Sequence, residues 1–105
     1  MQGYQVTFFT QQDRMHGSHT LAEWLMKQAH DLGIRGATMT ASTCGFGHDG
    51  KQHSSQFFDL SDQPVEITMA LSDDETERLF AALEAEKIKV FYVKSRVEFG
   101  MLGDA

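Results

Sequence analysis

With 105 residues, 41% hydrophobic and 23% charged, the chain has the length of one domain (1–105) and the composition of a folded protein, which excludes a disordered class. A formal net charge of −6 with no basic tract excludes general affinity for nucleic acid or for anionic membranes, because no counterion release is on offer. The single cysteine, Cys44, leaves no internal disulfide. With no basic, apolar leader over residues 1–10 and no apolar run near the ~18 residues of a span, a cytoplasmic protein without membrane insertion is expected.

In chain order, Tyr4, Val6 and Phe8 alternate with Gln5, Thr7 and Phe9 and predict a first strand. Residues 11–18, with Asp13, Arg14, His16 and Gly17, read as a loop. Thr20 and Glu23 then form a capping-box pattern, and Leu21, Trp24, Leu25, Ala29 and Leu32 recur at helical spacing until Gly33 stops the helix. A second strand is expected over Ala37 to Cys44. A third runs from Gln56 to Leu60 and on through Val65, Ile67, Met69 and Leu71, broken near Pro64, which cannot donate to a ladder. Ser72 and Glu75 repeat the capping box, with Asp73 and Asp74 suited to the positive end of the helix dipole and Leu79, Phe80 and Leu83 as the buried stripe. Ile88 to Phe99 closes the chain as a strand with Phe91, Val93, Val97 and Phe99 on one face and Tyr92, Lys94, Arg96 and Glu98 on the other.

The order βαββαβ predicts an α+β, ferredoxin-like sandwich: two right-handed crossovers sharing one antiparallel sheet, with both helices on one face. Phe9, Phe57 and Tyr92, added to the helix-facing set, would leave the second sheet face too apolar for water. Burial of that face between subunits predicts a cyclic homo-oligomer.

Between the second and third strands lies the stretch richest in chemistry. Gly45, Gly47 and Gly50 free the backbone and unshield its N–H groups, and Cys44, His48, Asp49, Lys51 and His53 stand beside them. Glycines alone also serve an ordinary hairpin. Cys44 and His48 lack a third orienting group and do not make a nucleophile and base; a small buried cysteine at a strand end is the plainer reading. The acidic run at Asp73, Asp74, Glu75 and Glu77 reads as helix capping. Trp24 and the phenylalanines read as core, and most of the six methionines as packing fillers. His16, His19, His48 and His53 sit in or beside two loops, and neutral imidazole ligates zinc, copper or nickel, but their spacings lack the paired cysteines of a diagnostic zinc site. His30 is expected to face outward.

The pattern Gly17 with Leu21, then Gly36-Ala37-Thr38, Gly45-Phe46-Gly47, His53-Ser54 and Pro64-Val65 resembles an uncharacterised bacterial branch of the PII-like family, from about Tyr4 to Phe99. That resemblance implies a homotrimer with inward-facing sheets, ligand clefts between subunits, and a central loop at the position of the PII T-loop, which signals ligand state to a protein partner such as a transporter or an enzyme. The chain departs from PII proteins proper in the turn between the second helix and last strand. There Leu83-Glu84-Ala85-Glu86-Lys87-Ile88 has no glycine, Glu84 and Glu86 repel phosphate, and only Lys87-Ile88, with Arg96 and Gly100 more weakly, resembles the family pattern. The loop also lacks the tyrosine that many PII proteins modify.

The expected function is therefore a PII-like regulatory or sensor protein, not an enzyme. It would bind a small anionic effector, metabolite or nucleotide, in the intersubunit cleft. Gly45, Phe46 and Gly47 would supply backbone donors and an apolar wall; Arg14, His48, Lys51, His53 and Lys87 would meet the charge. Ordering of the central loop would change the surface shown to a partner. The alternative is a trimeric, CutA-like divalent metal-binding protein using His48 and His53.

Overall fold

The computed structural model describes residues 1–41, the backbone of 44–46 and 52–54, and residues 63–103. Its elements are β1 (Gln2–Gln11), β2 (Met15–His16), β3 (His19–Thr20), α1 (Leu21–Asp31), β4 (Ala37–Ala41), β5 (Cys44–Phe46), β6 (Gln52–Ser54), β7 (Pro64–Ser72), α2 (Asp73–Ala85) and β8 (Phe91–Glu98). The main sheet has the antiparallel order β4-β7-β1-β8, as two crossovers sharing one sheet require. The expected second strand ends at Ala41, and Cys44 belongs to the separate β5–β6 pair. Pro64 opens β7, where a strand tolerates a residue without an N–H. Residues 56–60, and with them Phe57, lie outside the described residues.

Both capping boxes form. The Glu23 amide donates to the Thr20 hydroxyl at 3.1 Å, and the Glu75 amide to that of Ser72 at 3.1 Å; each glutamate carboxylate accepts the cap residue's N–H in return. Both helices also end in a Schellman motif. In α1, Gly33 (φ +79°) donates to the His30 carbonyl and Ile34 to that of Ala29; in α2, Lys87 (φ +56°) donates to Glu84 and Ile88 to Leu83. Asp73 holds a forked ion pair with Arg96, and Asp74 accepts from Arg78, so the acidic first turn of α2 is structural.

The core lies between the helices and one sheet face. Val6 and Phe8 of β1 meet Val65, Ile67, Met69 and Leu71 of β7, under Leu21, Trp24, Leu25 and Ala29 of α1 and Leu79 and Leu83 of α2. Gly3 fits because a Cβ there would lie 1.9 Å from the Leu71 carbonyl oxygen. On the opposite, open face, register places Phe9 beside Phe91, Thr7 beside Val93 and Gly3 beside Val97, and the Thr7 and Thr68 hydroxyls bond at 3.1 Å. This face is polar over β4 and β7 and apolar toward β8.

Three expectations need correction. Tyr92 is not on the open face: it pairs with Phe8, on the helix side, and its ring meets Phe80 edge-on at 5.0 Å. Alternation along β8 fixes two faces but not which one the helices cover. Phe91 is not core either, being half exposed on the open side. Nor do most methionines fill gaps: Met1, Met15, Met39 and Met101 are exposed, while Met69 is buried.

Candidate functional site

The loop after β1 is less open than its composition suggests. The Arg14 carbonyl accepts the Leu21 amide at 2.7 Å, and His16 pairs with His19 across a two-residue turn at Gly17, whose φ of +64° suits glycine. This hairpin leans on the far end of α2. The Arg14 guanidinium donates to the Lys89 carbonyl, and His16 Nε2 stands 3.9 Å from a Glu86 carboxylate oxygen. The other side of the His16 ring meets Trp24, with centroids 4.8 Å apart at 65°. Trp24 is core, as expected, and its edge also forms a wall of this corner.

Arg14 and Lys87 are therefore brought to one place, the turn from α2 into β8. They share it with His16, Lys89 and Glu86, of which Lys89 carries no signal in the sequence beyond being one more lysine. Lys87 is the described non-glycine residue with positive φ, so the glycine-free turn adopts left-handed backbone on a cation. Glu84 and Glu86 make the turn mixed in sign rather than a phosphate cradle.

The second group of candidates stands on the connection from β4 to β7, residues 42–63. In the β5–β6 pair Gly45 lies opposite His53 and Phe46 opposite Gln52, so those three candidates sit on one short hairpin. Gly47, His48 and Lys51, and the side chains of Cys44, Phe46 and His53, lie outside the described residues. The His48 and His53 metal assignment falls there too; among the described residues no group of three or more His, Cys, Asp or Glu side chains is placed to hold an ion. His30 is exposed on α1, as expected.

Arg96, which weakly resembles the arginine of the family pattern, is engaged within the fold. Its hydrogen bonds to Asp73 hold its guanidinium pKa above the ordinary arginine value, and its plane lies 5.0 Å from the Tyr4 ring centroid.

Comparison with known proteins gives the lineage. Residues 3–99 match the DUF190 family model, described as Uncharacterized ACR, COG1993, and the chain belongs to that family. No curated protein matches it. Among solved structures it is similar to TTHA0516 of Thermus thermophilus, described as a PII-like signalling protein, with a TM-score of 0.66 and 18% identity over 91% of this chain and 87% of that one. It is also similar to CPII of Thiomonas intermedia K12, a nitrogen regulatory PII-like protein bound to ADP, AMP and bicarbonate, with a TM-score of 0.65 and 14% identity over 95% and 97% of the two chains. CPII with ADP and bicarbonate gives a TM-score of 0.67 at 14% identity, over 96% of this chain and 91% of that one. The fold is thus PII-like, and no helix among the described residues is long and apolar enough to cross a membrane.

Proposed function

We propose that this chain is a PII-like regulatory protein without catalytic turnover, binding a small anion, an adenine nucleotide or bicarbonate, in clefts between the subunits of a trimer. The observation that carries this reading is the placement of two candidate groups on a PII-like subunit. Arg14 bonds the Lys89 carbonyl in the α2–β8 turn that also carries Lys87, and Gly45, Phe46 and His53 share the hairpin of the β4–β7 connection. Solved neighbours of the same fold carry ADP, AMP and bicarbonate.

In this reading Gly45, Phe46 and Gly47 offer backbone donors and an apolar wall, while Arg14, His48, Lys51, His53 and Lys87 balance the ligand's charge. Glu84 and Glu86 disfavour a bare polyphosphate, which favours the less charged members of that ligand class. The apolar end of the open face, Phe9, Phe91 and Val93, is the surface that subunit contact would cover. Ligand binding would order the central loop and so alter what a protein partner meets.

The test is a thermal-shift screen of AMP, ADP, ATP, cyclic nucleotides, bicarbonate and 2-oxoacids on wild type and Gly47→Ala, with mass measured by light scattering. A ligand that stabilises wild type more than Gly47→Ala, on a trimeric mass, supports the reading. No stabilising ligand, or a monomer, overturns it. Stoichiometric zinc uptake lost in the His48→Ala, His53→Ala double variant would favour the metal-binding alternative.

A further inference from the structure

The β2–β3 hairpin is tied to the far end of α2 twice, and the two ties differ in kind. The Arg14 guanidinium donates to the Lys89 carbonyl, and arginine keeps its proton at every pH at which the protein folds. His16 Nε2 faces a Glu86 carboxylate oxygen at 3.9 Å, beyond a hydrogen bond. With a neutral ring that approach is worth little; with both nitrogens protonated the ring becomes a cation and a donor toward the carboxylate. One tie is permanent and the other waits for a proton.

The surroundings leave Glu86 as the group that answers this charge. The elements packed at this corner carry Asp13, Arg14 and His19 near His16 in the chain, Glu23 on α1, Glu84 and Glu86 at the end of α2, and Lys87 and Lys89 in the turn after it. Glu23 is occupied by its cap, accepting from the Thr20 hydroxyl at 2.8 Å, and Arg14 by the Lys89 carbonyl. Among the described residues Glu86 is the carboxylate within ion-pair reach of His16. Trp24 holds the other side of the imidazole, with centroids 4.8 Å apart, and the His16 side chain is 27% exposed, so its proton exchanges with solvent while the ring keeps its place.

We propose that His16 is a proton-operated clasp: once protonated it closes the hairpin onto α2 through Glu86 and balances the acidic charge next to the α2–β8 turn. Its effect on ligand binding rests on the anion-binding reading above. Glu86 opposes an anion at this turn. A protonated His16 cancels that opposition and leaves Arg14, Lys87 and Lys89 to act on the ligand. Anion uptake is thereby favoured as the pH falls from about 8 to about 6, and by reciprocity a bound anion favours the closed clasp.

Trp24 reports the event, because it is the single tryptophan and a protonated imidazole against an indole quenches its emission far more than a neutral one. Emission is followed from about pH 8 to about pH 5.5 on wild type, His16→Gln and Glu86→Gln, with thermal melts to check folding. The expected result is a step of falling emission in wild type that vanishes in His16→Gln and moves to lower pH in Glu86→Gln. Glu86 is more than half exposed, so its variant keeps the test standing even if His16→Gln unfolds. No step in wild type, a step that survives His16→Gln, or one unmoved by Glu86→Gln overturns the proposal. Calorimetry with AMP then tests the effect on binding. AMP loses part of its own charge over this range, so the quantity compared is the ratio of wild-type to His16→Gln affinity, expected to rise about three-fold or more between about pH 8 and about pH 6. An unchanged ratio overturns the link to the anion. A fluorescence step without AMP binding at either pH supports the clasp and counts against the anion-binding reading, which separates the two.

Discussion

The two helices end in the same backbone geometry on opposite kinds of residue. α1 closes its Schellman motif with Gly33, which has no Cβ to strain at φ +79° and open space around it. α2 closes the same motif with Lys87 at φ +56°. Left-handed backbone costs a residue with a side chain roughly 1–2 kcal/mol more than it costs glycine. The first helix end obeys local rules; the second gives up stability and places a lysine in the α2–β8 turn, two residues before the Lys89 carbonyl that Arg14 bonds. Such an outlier is a reason to look for function there.

The largest effect expected along this comparison lies in the residue after each motif. Ile34 is buried and Ile88 only partly so. Ile34→Ala should therefore cost about 2–4 kcal/mol in urea unfolding, and Ile88→Ala clearly less. Equal losses would mean that the two ends are anchored alike. Next, Gly33→Ala should cost about 1–2 kcal/mol, all of it from backbone strain, since the added methyl meets nothing within 4 Å. Lys87→Gly should do the reverse and raise stability by about 0.5–1 kcal/mol.

Smaller still is the tie between the two helices, where Arg78 donates to the Leu32 carbonyl at 3.1 Å and to Asp74 at 2.9 Å. Arg78→Ala should cost about 0.5–1 kcal/mol, a difference that narrows at high salt as screening weakens the Arg78–Asp74 pair of the wild type. A loss well beyond that would make Arg78 a principal clamp on the α1 terminus.

Much of this was legible in the residues. Capping boxes, Gly33 and the period switches are local signals, and local signals place elements. The strand order followed because few topologies connect βαββαβ in one sheet. What escaped depended on contacts between distant parts of the chain. Nothing near Tyr92 says which side of β8 the helices cover. Nothing in residues 11–18 says that Arg14 reaches Lys89 or that His16 faces Glu86. The turn's lack of glycine was visible, but the left-handed backbone it adopts on Lys87 was not, because lysine carries no conformational signal for it.

The most direct test of the proposed function is a paired measurement on Lys87→Gly, unfolding stability together with affinity for AMP and ADP by calorimetry. If Lys87 holds a strained backbone in order to place a cation at the ligand cleft, the variant should be more stable than wild type and bind several-fold more weakly. A variant that is more stable and binds as tightly as wild type, or a wild type that binds neither nucleotide, would contradict it.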